Sequence, residues 1–74
     1  MTERPVKRSL TLRGHRTSVS LEDVFWTAFR NAAKEDGIAL NELAAMIDEE
    51  RGDIGLASAI RVWLFQRAVA RGHA

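Results

Sequence analysis

No cysteine occurs among the 74 residues, which excludes a disulfide staple and a thiolate nucleophile or ligand. Histidine is scarce as well: His15 and His73 lie near opposite ends and do not form a ligand pair at metal-site spacing. There is no glycine-rich phosphate loop, and no apolar run approaches the roughly 20 residues of a membrane span. The start of the chain lacks the apolar stretch of a secretory signal, which predicts a cytoplasmic protein without a membrane partner. A chain this short also has little room for a concave pocket. Together these absences predict a non-enzyme with no metal and no cofactor.

What is present is apolar enough to fold. Hydrophobic residues make up 46% of the chain, including two tryptophans and three phenylalanines, which argues against disorder. A domain of this size buries only about 60% of its unfolded surface, so association with another copy is the expected source of further burial. The net charge of +1 conceals a division. Residues 1–16 hold Arg4, Lys7, Arg8, Arg13 and Arg16 against Glu3, a net of +4. Residues 17–74 hold six basic and nine acidic residues, a net of −3. A basic beginning on an acidic body points to a polyanionic partner.

Along the chain, residues 1–8 are polar, carry the single proline, Pro5, and read as a flexible basic arm before a domain spanning 9–74. Arg16-Thr17-Ser18-Val19-Ser20-Leu21 alternates as a strand, with Val19 and Leu21 inward and Arg16, Ser18 and Ser20 outward. Ser9 to Arg13 also alternates, but its apolar residues, Leu10 and Leu12, fall at even positions and those of the strand, Val19 and Leu21, at odd ones. This change of phase at Gly14-His15 ranks an intrachain hairpin second. The first choice is a lone strand that pairs with a second copy of the chain. A two-stranded ribbon of that kind fits the major groove of DNA.

Three helices follow. Ser20 is the expected N-cap of the first, from about Leu21 to Asp36, with Leu21, Val24, Phe25, Ala28, Phe29 and Ala32 on its apolar side and Gly37 ending it. The second runs from about Leu40 to Arg51 on a stripe of Leu40, Leu43, Ala44 and Ile47, and is broken by Gly52 to Gly55. The third, about Leu56 to Ala70, has an apolar face too wide for one neighbour. Trp26 and Trp63 sit at helical spacing and read as packing residues. Arg61 is expected to pair with Asp48 or Glu49 or to remain solvated.

The ordered set Gly14-His15-Arg16-Thr17-Ser18-Val19-Ser20-Leu21, Phe25-Trp26, Gly37, Asn41-Glu42-Leu43 and Ser58-Ala59-Ile60-Arg61 resembles the ribbon-helix-helix family, in its small bacterial branch. The resemblance implies a mainly α fold with one short strand and an intertwined homodimer. The two copies would share an antiparallel intermolecular ribbon that inserts in the major groove of double-stranded DNA to regulate transcription. Mapped onto this chain, Arg16, Ser18 and Ser20 would contact bases, and Lys7, Arg8, Arg13 and Asn41 would contact phosphates, with stacking of dimers into a tetramer left open. Two departures stand out: the second helix is interrupted, and Ala39 occupies the place where relatives carry Ser or Thr before it. The alternative is a protein-interaction and dimerisation module, or an antitoxin-like adaptor, without strong DNA binding of its own.

Overall fold

The computed structural model describes residues 3–72. In chain order it contains β1 (Val6–Leu12), β2 (His15–Leu21), α1 (Asp23–Asp36), α2 (Leu40–Glu50) and α3 (Leu56–Ala70). The expectation of a single strand is therefore corrected. β1 pairs antiparallel with β2 inside the chain, from Val6 opposite Leu21 to Leu12 opposite His15. Val6, Lys7 and Arg8, read above as part of the arm, lie in β1.

The phase change that argued against this hairpin is what the hairpin requires. Arg13 and Gly14 form a two-residue turn with φ of 50° and 88°, the double left-handed geometry that matches the twist of the flanking strands. With two residues in the turn, even positions of β1 stand opposite odd positions of β2. Leu10 and Leu12 thus share a face with Val19 and Leu21, and all four are buried.

The three helices cover that face. Leu21, Trp26, Phe29, Leu43 and Ile60 are the largest fully buried side chains, one from β2, two from α1 and one each from α2 and α3. The Trp26 indole N–H donates to the Val6 carbonyl oxygen at 2.8 Å, so its polar atom is satisfied while its rings fill the core. The buried side of α1 is Trp26, Phe29, Ala32 and Ala33, rotated from the stripe expected from sequence. Val24 and Ala28 are exposed and Phe25 is half-buried.

Helix ends follow local rules with one correction. Gly37, at φ 71°, closes α1 by donating its N–H to Lys34, and Ile38 donates to Ala33. The N-cap is Glu22, not Ser20, because Ser20 and Leu21 are still paired in the sheet. No side chain of its own caps that end, but a Glu3 carboxylate oxygen accepts from the Val24 N–H at 3.3 Å. The bounds of α2 and α3 agree with the sequence reading to within a residue.

Candidate nucleic-acid interface

With one face of the hairpin in the core, the other is left to solvent. It carries Lys7, Ser9 and Thr11 from β1 and Ser20, Ser18 and Arg16 from β2, opposed in that order. All six are exposed. The face is a small flat array of hydroxyls with a cation at two opposite corners and no acidic side chain. It can donate hydrogen bonds, accept them, and place two positive charges against an anion. Arg16 adds a planar fork able to engage two acceptors at once.

The structure thus brings together Lys7, Arg16, Ser18 and Ser20 of the residues picked out by sequence. It adds Ser9 and Thr11, which alternate with the same period but lay in the segment read as unpaired. It does not bring the remaining three to this face. Arg8 points to the opposite side of the sheet, its guanidinium 5.9 Å from the centroid of the Trp26 ring. Arg13 occupies the turn and pairs with Glu49 of α2. Asn41, in the first turn of α2, uses its side-chain oxygen to accept the Thr11 N–H at 3.1 Å.

These last contacts locate the free edges of the hairpin. In an antiparallel ladder, opposed pairs alternate between hydrogen-bonded and open ones. The Thr11 N–H goes to Asn41 and the Ser20 carbonyl oxygen lies 3.4 Å from the Arg61 guanidinium, so both rows turn their backbone groups outward. By alternation, Ser9 and Ser18 do the same. β1 and β2 therefore each present outward-facing backbone groups on their far sides.

Arg61 pairs not with Asp48 or Glu49 but with Glu22, at 2.9 Å, and its guanidinium stands 5.7 Å from the Phe25 ring centroid. Glu22's own backbone hydrogen bond, then Arg61, hold its carboxyl below the usual carboxylate range. At the far end of the helical layer, Arg67 grips Asp36 through two hydrogen bonds of 2.8 and 3.1 Å, lowering the Asp36 pKa. The same guanidinium reaches Glu35 and faces the Trp63 ring at 5.3 Å.

Beside Arg61, an apolar groove opens between α1 and α3, lined by Val24, Phe25, Ala28, Val62, Leu64 and Phe65 among others. Phe65 is 62% exposed and Val24 58%. Among the described residues no cluster of three His, Asp or Glu side chains converges as a cation site, and His73 lies outside them. No helix among them is long and apolar enough to cross a membrane.

A family model described as a ribbon-helix-helix domain matches residues 5–68. Neither a curated protein nor a solved structure gives a match.

Proposed function

The chain belongs to the ribbon-helix-helix family, a family of DNA-binding regulators, and from that premise we propose that it is a sequence-specific DNA-binding protein acting as a homodimer. The observation that carries the reading is the solvent face of the hairpin, where Lys7, Arg16 and four hydroxyl side chains stand together with no acidic residue among them. Arg16 has the donor geometry to engage O6 and N7 of a guanine, and Ser18 beside it to contact a base edge. Ser20 and Lys7 stand in the same row and serve base and phosphate respectively. Of the four residues mapped to phosphates, Lys7 lies on this face, while Arg8, Arg13 and Asn41, beside Trp26, Glu49 and Thr11, would meet a phosphate from outside it. No cofactor or metal enters the proposal.

The test is selection of bound duplexes from a random pool, followed by retardation of the selected duplex at several salt concentrations. A common sequence should emerge, and affinity should fall steeply with salt as condensed counterions are released. The apolar groove is what favours the other reading, a protein-interaction module. Absence of retardation at micromolar protein and low salt would favour that module over DNA binding.

A further inference from the structure

Arg13 and Glu49, 36 residues apart in sequence, each sit where local physics disfavours them. Arg13 holds the first position of the hairpin turn at φ 50°, a left-handed conformation usually left to Asn, Asp or Gly. Glu49 lies in the last turn of α2, where the helix dipole repels an anion and no basic residue of that turn offsets it. The two meet in an ion pair that ties the hairpin tip to the helical layer. Their side chains remain 60% and 55% exposed. A pair so open to water adds little stability, so the tie offsets little of what the two placements cost.

Arg13 has a second use within reach. The turn begins two residues after Thr11 and ends two before Arg16, so Arg13 adjoins the end of the solvent face where the Arg16 fork stands. A carboxylate and a phosphate ask the same of a guanidinium, two acceptor oxygens set against its planar fork. Glu49 is therefore a resident competitor for an anion at the tip. We propose that the Arg13–Glu49 pair is an exchangeable latch: an oxyanion of a bound polyanion, a DNA phosphate in the reading above, takes the place of the Glu49 carboxylate on Arg13. The inference rests on that reading and adds to it a residue, Glu49, that holds affinity down. Phosphate contacts carry no sequence information, so the latch lowers affinity for all duplexes alike.

The neighbouring acids are placed differently. Asp48 pairs with Arg51, and Glu50 lines the crevice between α2 and α3, which makes Glu50 a charge-matched control. The test is retardation of the selected duplex and of a scrambled one by the full-length variants, together with elution from heparin, a polyanion without bases. Glu49→Gln should tighten binding to both duplexes about two- to fivefold, the range that an exposed ion pair is worth. Glu50→Gln, which removes the same charge one residue on, should tighten it less. Arg13→Ala should weaken binding and reduce the salt slope by about one, and in that background Glu49→Gln should do no more than Glu50→Gln.

A tie that only braces the hairpin predicts no gain in affinity from Glu49→Gln. That result, equal effects of the two glutamine variants, or a gain that survives Arg13→Ala would overturn the inference and leave the DNA-binding proposal in place. Later elution of Glu49→Gln than of Glu50→Gln from heparin, by a chain that retards no duplex, would leave the latch standing and remove the DNA-binding proposal.

Discussion

At the scale of single residues, the hairpin depends on Gly14 and the face above it on Arg16. Gly14 has φ 88° with open space around it, so an added Cβ meets no neighbour and the cost is purely conformational. Gly14→Ala should lower the unfolding free energy by about 1–2 kcal/mol in a denaturant titration. Arg16→Ala should weaken binding to the selected duplex by roughly 1–3 kcal/mol and relax its sequence preference. Lys7→Ala should weaken all sequences alike and reduce the salt slope by about one. The outward direction of Arg16 was readable from the alternation of Val19 and Leu21, whereas that of Lys7, in the segment read as an arm, was not. The occupation of Arg8, Arg13 and Asn41 was not, because each partner is distant in sequence and no local pattern points to Trp26, Glu49 or Thr11.

At the scale of elements, the helices were legible and the sheet was not. The breaks at Gly37 and at Gly52 to Gly55 are local, so the bounds of α2 and α3 follow from neighbouring residues. The rotation of α1 came from Trp26, whose indole finds the Val6 carbonyl and draws that side of the helix inward. Val24 and Ala28, apolar by sequence, were left facing the groove. The β1–β2 pairing escaped because a shift of the apolar positions from even to odd reads as a conflict unless the turn is known to contain two residues. Asn41→Ala tests the tie between α2 and β1, and should cost about 0.5–1.5 kcal/mol of stability.

The ties between elements also predict a pH response. Glu22 and Asp36 both have carboxyl groups held below their ordinary values, by hydrogen bonding at Glu22's own backbone and from Arg61, and by Arg67. Their contribution is present in full above the pKa of the unfolded chain and is lost as pH falls through the lower folded values. The thermal midpoint should therefore fall on acidification below about pH 4. Arg67→Ala should lower the midpoint at neutral pH and flatten the Asp36 part of that acid limb.

At the scale of the whole molecule, one layer of helices supports a sheet whose free face is polar and cationic. With that face on DNA, Arg16 and Ser18 would stand over base edges and Lys7 near a phosphate rim. A homodimer of the kind proposed is two-fold symmetric, so selected duplexes should be palindromic.

The most direct measurement is a residue-resolved titration of the isotope-labelled chain with its selected duplex, following backbone amide shifts. The largest changes should fall on Lys7, Ser9, Thr11, Arg16, Ser18 and Ser20, with the α1–α3 groove little affected. Changes concentrated on Val24, Val62 and Phe65, with the strand residues unmoved, would contradict the account.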